Sequence, residues 1–378
     1  MKNYKLTTSA VLVALMLSGC ASEMHKQDNH PSSEKSTATV STKTKESHNV
    51  IYVDLDAKLG THNGTSWQNA YQKLPIALAK AKTGDQIWVA KGTYYPTTSD
   101  DRSQSFQVAH GVTLYGGFKG TETSLKQRHW RSHKTILSGN IGDKKTDKDN
   151  SYHVIIAGKG SVIDGVIVQD GYADGGSRDG YGGGTLAWGI SAAPKLENME
   201  FKNNYAKKGG GAYFYQNGGN TLNNVTFMDN SAELGGAIVA EQGSTLSIDG
   251  STFKGNESTG NAGAVLVDKG AQLQLSNSLF SSNYSQGDGG AILISEQQLS
   301  KNNQLPSIHG TAFVNNHANV SGGAIYTQNK GPLQIDQSFF SGNTSKKGAS
   351  IANVAGGKLT LKDTQVQPAS VYQPSVAQ

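Results

Sequence analysis

Two tetrapeptides alternate strictly through the second half of this chain, and that repeat limits the possible folds more than any other feature. Phe-x-x-Asn occurs at Phe201/Asn204, Phe227/Asn230, Phe253/Asn256, Phe280/Asn283, Phe313/Asn316 and Phe340/Asn343. Gly-Gly-Ala followed by a large apolar residue occurs at 210–213, 235–238, 289–292 and 322–325, with degenerate copies at 262–265 and 347–350. Successive phenylalanines lie 26, 26, 27, 33 and 27 residues apart, so the unit is about one coil of a solenoid. The 33-residue step holds a polar insertion, 296–306, expected to bulge out as a loop.

Short β-type stretches such as 221–227 set Leu, Val and Phe on one face, broken by Gly and Asn. One coil cannot bury that face alone. Coils stacked about 4.8 Å apart would pair each strand with its copies above and below, with Phe on Phe inside and Asn on Asn at the bends. Gly-Gly-Ala suits a corner where the backbone turns tightly and a larger side chain has no room. A helical repeat is disfavoured, because Gly pairs and β-branched residues recur in every unit. The expected fold is all-β, a single-stranded parallel β-helix.

The tetrapeptides resemble those of the polymorphic outer membrane protein repeat, over residues 196–362. The resemblance implies a right-handed parallel β-helix of the pectin-lyase-like kind. It does not extend to the membrane barrel in which full members of that family end, so no transport role is carried over. Residues 50–170 resemble the opening block of secreted bacterial β-helix proteins, through Ile51-Tyr52-Val53-Asp54 and the segments 64–71 and 84–94. Within that block 74–82 reads as a short helix with Pro75 at its first position, Leu74, Ala77, Leu78 and Ala81 on one face, and Gly84 just past its end. Such a helix would cap the N-terminal end of the stack, which otherwise exposes unpaired strand edges. Early strands are expected at 87–90, 106–108, 112–115, 135–137 and 154–157, and 163–168 aligns with 196–201 at an offset of 33. The tail after Asp363 shows no cap and is expected to be loosely ordered.

The N-terminus is of a different kind. Lys2 and Lys5 precede an apolar run, 10–17, that is too short to span a bilayer, and Leu17-Ser18-Gly19-Cys20 closes it. This resembles the lipobox of bacterial lipoproteins, which implies that Cys20 becomes an acylated N-terminus. Cys20 is the only cysteine, so no intramolecular disulfide and no cysteine-based zinc site can hold the fold. Ala21 follows it where many inner-membrane lipoproteins have Asp, so the resemblance implies export to the outer membrane. Residues 21–49 are Ser, Thr, Lys, Glu, His and Asn with almost nothing apolar, the composition of a disordered tether. The expected organisation is a signal peptide at 1–19, the lipidated cysteine and tether at 20–49, cap and first coils at 50–170, repeats at 171–363 and a tail at 364–378.

A formal charge of +5, carried mostly by scattered lysines, argues against a nucleic-acid partner. The segment 170–184 interrupts the repeat and concentrates Asp170, Asp174 and Asp179 around Arg178, Tyr172 and Tyr181. A Ca²⁺-dependent polysaccharide lyase would use such acids as metal ligands and Arg178 as the base that removes a proton α to a uronate carboxylate. The Asp spacing fits neither an EF-hand nor a nonapeptide Ca²⁺ repeat, and a solvated Gly/Asp turn is the favoured reading. Polygalacturonase motifs, a Gly-x-Ser-x-Gly elbow and a phosphate-binding Gly-Lys-Ser/Thr loop are all missing. His129 and His133 have metal-pair spacing without the intervening Glu of a zincin. Tyr172, Tyr181, Tyr213 and Tyr215 could stack on sugar rings, although packing is the commoner role for such residues. The leading expectation is a non-catalytic, adhesin-like envelope protein that binds glycan or a partner surface and is held to the membrane by its lipid. The lyase is the first alternative and a purely structural envelope protein the second.

Overall fold

The computed structural model describes residues 49–189, 193–296, 305–367 and 370–373. Cys20 and the tether lie outside the described residues, as does most of the 296–306 insertion. The described residues belong to one compact unit. It is a right-handed parallel β-helix, with every paired strand parallel to its neighbour in four sheets of 11, 10, 10 and 6 strands. One coil shows the path. Asn220–Asn223 lies in the long sheet, Thr226–Met228 in a second sheet, Ser231–Leu234 in the shortest and Ile238–Glu241 in the sheet that closes the coil. Thr245–Asp249 then re-enters the long sheet one coil further on.

Register follows the repeat. Phe201 pairs with Phe227, Phe227 with Phe253, Phe253 with Phe280, Phe280 with Phe313 and Phe313 with Phe340. The six rings are fully buried and stack face to face at centroid distances of 4.4–5.0 Å. Burying a Phe side chain contributes about 1.5–3 kcal/mol, so this column in the second sheet is a main support of the core. Val168 occupies the same position one coil earlier, paired with Phe201 at the offset of 33.

The asparagines form a second column at the bend after the Phe strand. Each Nδ2 donates to Oδ1 of the next copy, from Asn204 through Asn230, Asn256, Asn283 and Asn316 to Asn343, at 2.8–3.0 Å. Each also donates to a carbonyl of the preceding coil, as Asn256 does to Phe227 O at 3.1 Å. Gly171 N–H donates to Asn204 Oδ1 at 3.0 Å and so begins the column. A third column, of Ser251, Ser278, Thr311, Ser338 and Thr364, was not foreseen from sequence. Each of its hydroxyls accepts from a backbone N–H of the preceding coil, at 3.1–3.4 Å. Because buried polar groups left unpaired cost about 1–3 kcal/mol each, these columns let bends carrying polar residues sit inside the stack.

The glycine corners have a register that sequence reading places one residue off in two coils. Ala212 pairs with Ile238 and Ile325 with Ile351, so the unit equivalent to 235–238 is 209–212, not 210–213, and the last copy is 348–351, not 347–350. The first position of the corner has a left-handed backbone, φ +63° at Gly235, and Ala262 adopts φ +62° at the equivalent place. At the second position a Cβ on Gly290 would come within 2.0 Å of Gly323 O in the next coil, so no side chain fits.

The cap is a helix, α1 (Leu74–Lys80), shorter by two residues than expected, with Leu74, Ala77 and Leu78 buried and Ala81 partly buried against the core. At the other end the tail departs from expectation. Gln365–Gln367 and Val371–Tyr372 extend two of the sheets, pairing with Phe339–Ser341 and Ile351–Asn353. The reason is local. Val366 packs against the core beneath Phe340, which it pairs with, and supplies the apolar contact that the flat composition of the tail conceals.

Candidate functional site

Clefts lie along both regular and irregular coils, and the one beside the 139–152 connection holds Tyr172, one of the candidate residues read from sequence. Three segments meet on the outer face of the shortest sheet: the connection 139–152, the strand pair Tyr172–Ala173 with Tyr205–Lys208, and the bends that carry Asn203 and Asp229. Asn203 and Asp229 each precede a column asparagine and adopt φ +54° and +53°. Together with Asp147, Asn150, Gly171, Tyr172, Tyr205 and Ser231 they line a groove of about 240 Å³.

Arg102 builds this groove. Its Nε donates to Asn150 O at 2.8 Å, its Nη2 donates to Tyr172 O at 2.6 Å and to Asp174 Oδ1 at 2.7 Å, and its guanidinium lies 4.1 Å over the ring of Tyr152. One side chain therefore ties the 139–152 connection to the start of the 170–184 segment. Asn150 is 1% exposed, and its Oδ1 has no hydrogen-bond partner. A buried acceptor without a donor is costly, so the 139–152 connection is held here against an opposing polar cost. Tyr172 and Tyr205 stack at 4.7 Å, and burial raises the pKa of the Tyr205 hydroxyl, with the charges of Glu233 and Asp174 adding to the effect. Hydroxyls, amides and carboxylates in one groove make a hydrogen-bonding surface for a polyol.

The other tyrosines have structural work. Tyr213 is 1% exposed, so it offers no face to a sugar, which corrects the expectation for that residue. Its hydroxyl donates to Glu241 Oε2 at 2.9 Å, and burial followed by the neighbouring Glu241 carboxylate drives its pKa far up. Glu241 is itself buried, and Lys208 donates to its Oε1 at 2.7 Å. Burial acts to raise the Glu241 pKa, but hydrogen bonds from Lys208 and Tyr213 and the charges of Lys208 and Lys269 outweigh it and bring it below the ordinary value. Tyr181, Trp188, Tyr213 and Tyr215 stack upon one another, and Trp188 is covered on one side by Tyr215 at 4.0 Å, with the Arg178 guanidinium 5.3 Å from its ring. Stacking gives these rings a packing role, while Tyr181, Trp188 and Tyr215 remain partly exposed.

The lyase constellation is not assembled. Asp170 Oδ2 accepts from Ser138 Oγ at 2.9 Å and Gln169 Nε2 at 2.6 Å, while Asp174 is paired with Arg102. Asp179 points outward, 58% exposed and 4.0 Å from His153. Among the described residues no three acidic, His or Cys side chains gather to hold a metal ion, and Arg178 lies over Trp188. This corrects the reading of Asp170, Asp174 and Asp179 as one ligand set. His129 and His133 lie 6.1 Å apart ring to ring, without a third ligand.

The architecture and its columns define the class, a parallel β-helix protein. Two of its segments, 277–295 and 310–328, match the family model of the Chlamydia polymorphic membrane protein repeat, and they hold Phe280/Asn283 and Phe313/Asn316 with their glycine corners. Among solved structures, the pectate lyase Pel9A is similar at 14% identity and a TM-score of 0.49, covering 84% of this chain and 78% of its own. An iota-carrageenase complexed to iota-carrageenan fragments is similar at 15% identity and a TM-score of 0.30, covering 81% of this chain and 57% of its own. Comparison with curated protein sequences finds no match.

Proposed function

We propose that this chain is an exported, lipid-anchored envelope protein whose β-helix binds a glycan without catalysis, in the groove between the 139–152 connection and the Tyr172/Tyr205 pair. The observation that carries the reading is the lining of the groove, where hydroxyls of Tyr172, Tyr205 and Ser231, amides of Asn150 and Asn203 and carboxylates of Asp147 and Asp229 come together. Two segments that match a membrane-protein repeat agree with the envelope placement in this reading. Acylation at Cys20 would supply the anchor and 21–49 the tether.

The test is a glycan array probed with the full chain carrying Cys20→Ser, followed by titration of any hit against Asn150→Ala. A hit weakened at least about tenfold by Asn150→Ala, the loss of one or two hydrogen bonds, supports the groove. An array without hits, or a hit indifferent to Asn150→Ala, overturns it. The anchor is tested separately. If Cys20→Ser leaves the protein in the membrane fraction with unchanged extractability, acylation is not what holds it there.

A further inference from the structure

The end of the β-helix covered by α1 leaves large apolar side chains in solvent. Leu59 is 70% exposed, Ile76 43% and Tyr95 40%. Ile76 and Tyr95 line one groove of about 330 Å³ together with Leu55, Lys73 and Pro75. The 55–59 loop is held beside that groove by Gln72 Nε2, which donates to Ala57 O at 2.7 Å. On α1 and its N-cap, Lys73, Ile76 and Lys80 follow one another at helical spacing on the side away from the buried Leu74, Ala77 and Leu78. The exposed side of the cap thus reads Lys-Ile-Lys, with Lys58 and Leu59 beside it. Across 54–98 there are five lysines, all exposed, against three aspartates, of which Asp85 is buried.

We propose that this end of the β-helix rests on an anionic phospholipid surface, with Leu59, Ile76 and Tyr95 entering the headgroup region and Lys58, Lys73 and Lys80 meeting phosphates. The charge selects the occupant. Exposed lysines on and near α1 together with exposed apolar side chains are the pairing that a membrane interface rewards. Tyr95 fits the same place, an amphipathic ring with the Lys144 ammonium 3.9 Å over it, which adds a further cation at this end. The inference deepens the membrane-anchored reading, on which it rests only for the presence of a bilayer nearby. The lysines and apolar side chains act whether or not Cys20 is acylated.

The experiment is flotation of the full chain carrying Cys20→Ser with vesicles, one set of phosphatidylcholine alone and one containing phosphatidylglycerol. Binding to the second set, weak on the first and reduced by salt, is expected. The triple variant Lys58→Glu/Lys73→Glu/Lys80→Glu should weaken it by about 100-fold or more. Ile76→Glu should weaken it by about tenfold or more, and Leu279→Glu, an exposed apolar site on a distant coil, should leave it unchanged. All these positions are exposed, so circular dichroism and melting temperature should match the parent. Equal binding by the triple variant, equal binding to both vesicle sets, or no binding at all would overturn the proposal. Because acylation is removed throughout, failure here leaves the anchor untouched, and failure of the anchor leaves this result standing.

Discussion

The coils between 196 and 362 and those between 113 and 189 share the same sheets but are held in different ways. In the repeats, three columns do the work, and each residue in them meets a copy of itself or a near equivalent. In the earlier coils the columns give way to single-use contacts. Val168 stands where the phenylalanines would be, Gly171 stands where the asparagines would be, and Arg102 and the Arg128–Asp164 ion pair fix individual connections. The difference shows where evolution of a solenoid can place function. A column tolerates almost no change along its length, whereas a one-off contact can support a groove, and the described groove built around Arg102 lies where the columns stop.

Each kind of support can be removed by a single substitution. Phe253→Ala removes the middle of the ring column and should destabilise the protein by about 3–5 kcal/mol in chemical denaturation, with loss of protection spreading to both neighbouring coils. A cost below that of an isolated surface change would show that the column is not cooperative. Arg102→Met should cost less, about 2 kcal/mol, and act locally. Hydrogen exchange should quicken in 139–152 and 172–174 while 220–340 stays protected, and a global loss would mean that the early coils are not separable.

Acidity offers a third probe, because His153 is buried under the 170–184 segment and burial pulls its pKa below the ordinary 6.5, against the opposing pull of Gly182 O and Asp179. A histidine depressed in the native state takes its proton more readily when unfolded. Its stability contribution is whole above pH 6.5 and is lost as the pH falls toward the native value. The melting temperature of the parent should therefore fall more steeply than that of His153→Gln between neutral pH and about pH 5; parallel curves would show that this histidine does not couple to folding. The smallest effect is a gain. Ala262 holds φ +62° where its equivalents are mostly glycine, and Ala262→Gly should stabilise by about 1 kcal/mol.

The columns of phenylalanine and asparagine were legible in the sequence because a period of 26–27 residues leaves the same residue type at the same place. The serine and threonine column was not, since hydroxyl residues are common at turns and nothing in Ser251 or Thr311 alone distinguishes a buried acceptor from a solvated one. The glycine corners were readable as corners but not to the residue, because Gly209-Gly210-Gly211 offers two registers and only strand pairing chooses between them. The groove was harder still. Tyr172 was singled out, but Arg102 and Asn150 act across 48 to 72 residues through contacts that no period announces. The acid-rich segment misled for the converse reason. Closeness in sequence suggested one ligand set, yet Asp170, Asp174 and Asp179 turn to separate partners.

Each asparagine of the column presents an amide hydrogen to the next copy and an oxygen to the one before it, so every internal coil has the same plug and the same socket. If residues 253–279 were deleted, Asn230 would face Asn283 with the geometry it now has toward Asn256. Length in such a protein is therefore counted in coils, and copies can be gained or lost in whole units without redesigning the cap at one end or the groove beside it.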